Sequence, residues 1–367
     1  MTNQNTARKN EALIALYRFT VCSLSLTVIL CTLALHLTNA LSFDSFADKL
    51  LFSVSKEEGK QEEADNLGKA HGGNNLPKND NTDSSSSKRD GEEEKAEGEE
   101  EVSFVDYDYT IKSSDMGCYD DYLTLRNNET DYAPDTKALL ALPYPKELTG
   151  KITNEPLVLV IHTHATECYT SEGAEGISSD TAFRSSDTEL NTVKVGSEFC
   201  RVLEDNGISC IHCTKLHDEN DYNASYANSL ESVKYYLEKY PSIKYIFDIH
   251  RDAIFRNETD AVKPLCKIDG KDTAQIMLVC GSNAKGADHP EWQDNLSVCL
   301  KLQKKLCDAY PPLMRKIDLR GASFNQQYSK GFMLVEVGSC ANTLSEALSA
   351  VRLFASCTAE MIKEYSE

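Results

Sequence analysis

Basic charge, tryptophan and proline are scarce in this chain of 367 residues. Lysine and arginine number 38 against 58 aspartates and glutamates, leaving a formal charge of −20, and there is one tryptophan and ten prolines. A phosphate backbone is repelled by such a balance, so nucleic acid is excluded as a main partner, although a local basic groove for an anionic polymer is not. The sequence contains no GxSxG, no GxGxxG and no GxxxxGK followed by Ser or Thr. It therefore lacks the serine nucleophile elbow, the dinucleotide fingerprint and the phosphate loop. Internal repeats are also absent.

Cysteine, by contrast, is plentiful, with thirteen residues. Cys22 and Cys31 fall in an apolar segment, which leaves an odd eleven. Cys210 and Cys213 make a CxxC spacing on a short strand, where alternation points neighbouring side chains to opposite faces. Cys280, Cys299, Cys307 and Cys340 sit inside hydrophobic periodic runs and read as small core residues. The expectation is a thiol-rich core from a reducing or anaerobic habitat rather than a disulfide scaffold. A nucleophilic role for Cys168 is disfavoured by Glu167 beside it, which opposes a thiolate.

Residues 19–35 read FTVCSLSLTVILCTLAL without a charge, and the polar-poor run continues to Leu41. That length spans a bilayer, and Arg8, Lys9 and Arg18 precede it. The expectation is a cytoplasmic N-terminus at 1–18, a single transmembrane anchor at 19–41 and a body outside the cytoplasm. Residues 53–101 hold fifteen acids, seven bases and no aromatic residue. Such a stretch cannot offset the entropy of ordering, so 42–104 reads as an acidic flexible linker. An N-terminal extension of the body at 105–154 and a catalytic domain at 155–367 follow.

Within the body, strand and helix patterns alternate. LVLVIHTH (157–164), ISCI (208–211), IKYIFDIH (243–250), QIMLVCG (275–281) and GFMLVEVG (331–338) read as buried strands. Helices are expected at 191–203, 228–239 and 290–310, with Asn206-Gly207 stopping the first. Thr343 and Glu346 form a capping box for a last helix. The pattern predicts an α/β fold, layered, with a mostly parallel sheet and helices on both faces, its site beyond the carboxyl ends of strands.

Imidazole and carboxylate cluster at those ends. The first strand runs out in His162-Thr163-His164-Ala165-Thr166-Glu167, the third in Asp248-Ile249-His250-Arg251-Asp252, and the last carries Glu336 in an otherwise apolar run. A hydrolytic zinc takes three protein ligands and keeps one position for water. His164, Glu167 and His250 supply such a set. His162, two residues before His164 and on the same face of a straight strand, is an alternative ligand or a supporting group. Asp252 is placed to orient a ligand histidine through its second nitrogen. Glu336 is costly in an apolar strand unless employed, and suits the proton transfer from water to leaving amine. Arg184, Arg251, Arg320 and Asn325 are candidates for contacting an anionic substrate. Metal identity rests on ligand type, since other late transition metals accept the same donors.

VLVIHTHATECYT, NTVKVGSEF, YPSIKYIFDIHRDAI, HPEWQDNLSVCLKLQKKL and FMLVEVGSCANTLSEAL, in this order over about residues 155–360, resemble the stage II sporulation protein P (SpoIIP) family of endospore-forming bacteria. The resemblance implies a zinc-dependent N-acetylmuramoyl-L-alanine amidase that thins septal peptidoglycan during forespore engulfment. It implies partners in a SpoIID-like transglycosylase and a SpoIIM-like membrane protein. Two other readings stand beside it: a zinc endopeptidase cleaving cross-linked stem peptides, and a non-enzymatic scaffold of a membrane complex. In the wider amidase class the glutamate ligand comes from the start of the first long helix. Here that region reads Asn191-Thr192-Val193-Lys194, so Glu167 takes the role, with His162 and Glu189 behind it.

Overall fold

The computed structural model describes residues 107–178 and 183–366. The expected anchor at 19–41 and the linker at 42–104 lie outside the described residues. Among the described residues no helix is long and apolar enough to cross a membrane.

In chain order the first elements are β1 (Tyr109–Ser114), α1 (Thr136–Ala141), β2 (Val158–Ile161), β3 (Gly176–Ile177), α2 (Thr192–Asp205), β4 (Cys210–His212) and α3 (Ser225–Lys239). Then come β5 (Tyr245–Asp252), β6 (Phe255–Arg256), β7 (Asp260–Ile268), β8 (Lys271–Ala274) and β9 (Ile276–Gly281). The chain closes with α4 (Trp292–Ala309), β10 (Asp318–Arg320), β11 (Gly331–Ser339) and α5 (Leu344–Glu364). The central sheet has the order β10-β9-β11-β5-β2-β4. All its pairings are parallel except β9 with β11, so β9 and β10 run against the other four strands.

Alternation along the strands sorts the core into two layers. Val158, Val160, Tyr245, Phe247, Ile249, Leu278, Met333 and Val335 face α2, α4 and α5 in the main core. Leu159, Ile161, Ile246 and Phe332 face α3 through Val233 and Leu237. Among the described residues helices thus cover both faces unequally, α2, α4 and α5 on one and α3 on the other. At the N-terminal end of α3, Met277, Val279 and Leu334 meet Tyr226 of that helix together with Phe324 and Ala322.

Local signals set the helix ends. The Asn191 side chain accepts from Val193 N at the start of α2, and Gly207 at φ +78° follows its end. Thr343 and Glu346 close the expected capping box on α5.

Three features depart from the expectations. The first strand stops at Ile161, three residues short of His164. A second sheet, β3-β1-β7-β6 with β8 on β7, occupies sequence given no elements above. Its β7–β8 hairpin turns at Asp269 and Gly270, both at positive φ as a tight two-residue turn requires. And Cys200 of α2 is joined to Cys210 of β4 by a disulfide, against the expectation of thiols alone. The α2–β4 connection brings both residues to one edge, which cysteine spacing did not reveal. The nine free cysteines among the described residues are all buried.

Candidate functional site

Parity along the strands decides which side chains meet. Asp248 and His250 alternate with Ile249 and point to the α3 face, and Glu336 of β11 pairs in register with His250. His162 continues the parity of Val158 and Val160 and turns to the α2 side. There its Nδ1 contacts Ile249 O at 2.9 Å and its Nε2 contacts His212 Nε2 at 2.8 Å. Gly196 of α2 makes the room, since a Cβ there would meet His162 Nε2 at 2.5 Å. The His162 ring is thus placed with His212 rather than with His164 and His250. With β2 ending at Ile161, the chain turns over and delivers His164 to the opposite face.

On that face the His164 and His250 rings stand perpendicular with centroids 5.3 Å apart. His164 stacks on Tyr222 at 4.5 Å and meets the edge of Tyr226 at 5.6 Å. Glu167 Oε2 lies 3.5 Å from His250 Nδ1 and accepts from Arg251 N at 3.1 Å. Glu167 lies beside the start of α2, where Thr192 N donates to its carbonyl oxygen at 2.9 Å. Glu189 points elsewhere and pairs with Lys194 at the surface.

Two further carboxylates lie beside the histidines. Asp248 Oδ1 approaches His250 Nε2 at 2.9 Å, and its own oxygens accept from Thr163 N and Thr163 Oγ1 at 2.8 and 2.6 Å. Asp218 Oδ2 lies 3.9 Å from His164 Nδ1 and accepts from Thr166 Oγ1 at 2.7 Å. The alternation in Asp248-Ile249-His250 carried the first signal; nothing in the sequence ties Asp218 to His164. Asp252, expected to orient a histidine, is instead paired with Arg315 at 2.9 Å.

The candidate substrate contacts divide. Arg184 pairs with Asp218 and lies over the Tyr222 ring at 4.5 Å, partly exposed at the edge of the site. Arg251 is buried and donates to Cys168 O at 2.9 Å and to Phe183 O, clasping backbone rather than facing solvent. Arg320 is held by Asp318 at 2.7 Å and Glu129 at 3.1 Å. Asn325 borders a cavity beside His164 and donates to Tyr226 O at 3.0 Å.

Charge in the centre follows from burial. Burial pushes His164 down to about 3, so its imidazole is neutral with a lone pair available. Burial works the same way on His250, but the Asp248 and Glu167 carboxylates outweigh it and hold His250 well above the usual histidine range. Burial, then the negative charges of Asp252 and Glu167, push Glu336 up to about 8.

Among the described residues no three His, Cys, Asp or Glu side chains converge as a finished metal-ligating group. The donor chemistry nevertheless fits a cation. His164 Nδ1 and Glu336 Oε2 are shielded from solvent without a hydrogen bond, and His250 Nδ1 lies 3.5 Å from Glu167 Oε2. Each such atom costs about 1–3 kcal/mol unless something satisfies it. A cation held by the two imidazoles and the Glu167 carboxylate would suit these donors, and in the metal-free protein His250, protonated between Asp248 and Glu167, supplies positive charge there.

An α/β domain with a buried imidazole–carboxylate centre on one sheet face is what the fold and site define. The sequence matches the stage II sporulation protein P (SpoIIP) family over residues 41–359, and the chain belongs to that family of sporulation proteins. It is 28% identical over 228 residues to stage II sporulation protein P of Bacillus subtilis (strain 168), a match covering 59% of this chain and 53% of that protein. The chain thus spans about half the length of this curated relative. Among solved structures, it is similar to the N-acetylmuramoyl-L-alanine amidase AmiC2 of Nostoc punctiforme, at 13% identity and a TM-score of 0.29 over 58% of this chain and 98% of that one. The amidase Ami1 from Mycobacterium smegmatis gives 10% identity and a TM-score of 0.31 over 59% and 100%. Similarity of this degree bears on neither site nor reaction.

Proposed function

We propose that the protein hydrolyses the amide bond between N-acetylmuramic acid and L-alanine in peptidoglycan, with one zinc ion held by His164, Glu167 and His250. The observation that carries this reading is the meeting of the His164 and His250 rings, perpendicular with centroids 5.3 Å apart, with Glu167 Oε2 3.5 Å from His250 Nδ1. Two imidazoles and a carboxylate are a usual donor set for hydrolytic zinc. When bound, the ion supplies Lewis acidity toward water and the amide carbonyl. Asp248 Oδ1, 2.9 Å from His250 Nε2, orients that histidine and leaves its Nδ1 toward Glu167. Glu336, with its raised proton affinity, takes a proton from the attacking water and delivers it to the departing amine nitrogen.

Family membership supports a role in thinning septal wall during engulfment, beside a SpoIID-like transglycosylase and a SpoIIM-like membrane protein. The apolar stretch 19–41 supports single-pass anchoring with the body outside the cytoplasm. The deciding experiment is mass spectrometry of products from purified peptidoglycan, with and without chelator. Free stem peptides and intact glycan strands, lost on chelation, are expected. Shortened peptides still bound to muramic acid would move the reaction to the cross-links. No product at all would favour a scaffold.

A further inference from the structure

Two pairs of buried thiols among the described residues lie in contact, away from the imidazole–carboxylate centre. Cys118 Sγ is 3.4 Å from Cys307 Sγ, and Cys280 Sγ is 3.6 Å from Cys299 Sγ. Similar spacing does not make the pairs equivalent. Cys280 of β9 and Cys299 of α4 are both fully buried in the main core. The contact with Cys299, and then burial, hold the Cys280 proton well above the ordinary thiol range. That pair is sealed and protonated. Cys118 and Cys307 each keep 5% exposure, at the margin of the core rather than inside it.

Cys118 is also served by donors. Gln303, one helical turn before Cys307 on α4, donates from Nε2 to Cys118 Sγ at 3.3 Å and to Arg315 O at 2.7 Å. The Cys307 thiol, and then Gln303, draw Cys118 below the ordinary thiol range against the effect of burial. The same contact, and then burial, push Cys307 well above that range. One sulfur is thus prepared as a thiolate while its neighbour keeps a proton to give. The backbone holds the two together. Cys118 N donates to Met314 O at 2.7 Å, and Met116 N donates to Gln275 Oε1 at 2.7 Å. At Gly117 a Cβ would meet Pro312 O at 3.1 Å, so the segment lies tight against residues 312–314. A disulfide of about 2.05 Å then requires the sulfurs to close by roughly 1.4 Å, within reach of side-chain torsion. The bond would join positions 189 residues apart. Cys118 also stands at the root of a segment that reaches the loop after β9. There Glu129 pairs with Arg320 at 3.1 Å and Lys285 at 3.0 Å, and Tyr132 stacks on Trp292 and donates to Asn283 Oδ1 at 3.0 Å.

We propose that Cys118 and Cys307 are a peroxide-responsive dithiol whose oxidation to a disulfide fastens the root of this segment to α4. The Cys118 thiolate attacks one oxygen of hydrogen peroxide, which releases hydroxide and leaves a sulfenic acid. The Cys307 sulfur then attacks Cys118 Sγ, and its proton departs with the sulfenic oxygen as water. Counting the proton that Cys118 shed, two thiols and one peroxide give one disulfide and two waters. Two electrons pass from sulfur to oxygen. The test takes the full chain, reduces it, treats it with hydrogen peroxide and maps its peptides by mass spectrometry without further reduction. A linked Cys118–Cys307 peptide is expected, while Cys280 and Cys299 remain open to alkylation after unfolding. In Cys307→Ser, Cys118 should stop at the sulfenic acid and take up a cyclic diketone probe. Oxidation should also widen the gap in melting temperature between the wild type and Cys118→Ser by several degrees, because the bond closes a long loop. Cys118 and Cys307 both still free after peroxide, or linkage of Cys280 to Cys299 first, would overturn the proposal. So would an unlabelled Cys118 in Cys307→Ser, or a melting gap that oxidation leaves unchanged.

Discussion

Glu336 sits in register between His250 on β5 and Met277 on β9, and the Asp252 and Glu167 carboxylates act on it. In the metal-free protein it keeps its proton up to about 8, whereas the unfolded chain releases that proton in the ordinary carboxylate range. The folded state then binds more protons than the unfolded one across that interval, so this group makes stability fall as pH rises through it. In chelator, the melting temperature of the wild type should decline more steeply from pH 5 to pH 8 than that of Glu336→Gln. Parallel slopes would mean that the proton is carried elsewhere. With zinc restored, Glu336→Gln should lose about 10²–10⁴-fold in wall hydrolysis while its metal content is unchanged. A variant that still cleaves would remove Glu336 from the chemistry. Residue types at strand ends were thus readable, but their facing was not. His162 and His164 look equivalent in the sequence, and only the early end of β2 sends one to α2 and the other to α3.

Elements differ in how openly the sequence declares them. Continuous apolar runs and the Thr343–Glu346 box marked the central strands and α5 because those signals are local. The pairing of β1 with β7 was not readable, since it joins Thr110 to Asp260 and their partly exposed residues carry no clear alternation. Even so, Asp269-Gly270 between two extended stretches was a usable hairpin signal. The box itself is well supported: Glu346 Oε2 accepts from Thr343 N at 3.0 Å and Asn342 Nδ2 at 2.9 Å, and Glu346 pairs with Lys263 at 2.6 Å. Thr343→Ala should cost about 1 kcal/mol in denaturant unfolding. A loss within error would show that Glu346 and Asn342 hold the terminus unaided.

At the scale of the whole molecule, the Cys200–Cys210 disulfide ties α2 to the edge strand β4 across a sequence separation of 10. Closing so short a loop restricts the unfolded chain by about 2–3 kcal/mol. A reductant, or Cys200→Ser, should therefore lower the melting temperature by several degrees. Unchanged melting would indicate that the two thiols stay reduced in the protein as isolated. The remaining thiols are buried in the core, as the hydrophobic periodicity around Cys280, Cys299 and Cys307 indicated.

The reversal of β9 and β10 has a consequence for how such a protein can diversify. Were all six strands to run one way, every loop near the centre would hang from the edge that bears His164 and His250, and each change of preference would risk the chemistry. Instead the segments around Lys285 and Phe324 are anchored at the opposite edge and reach the same cavity from behind. Selection can rewrite them, lengthening one or exchanging its charge, while the histidines and carboxylates keep their places. Those two segments are a part that can be altered without rebuilding the centre.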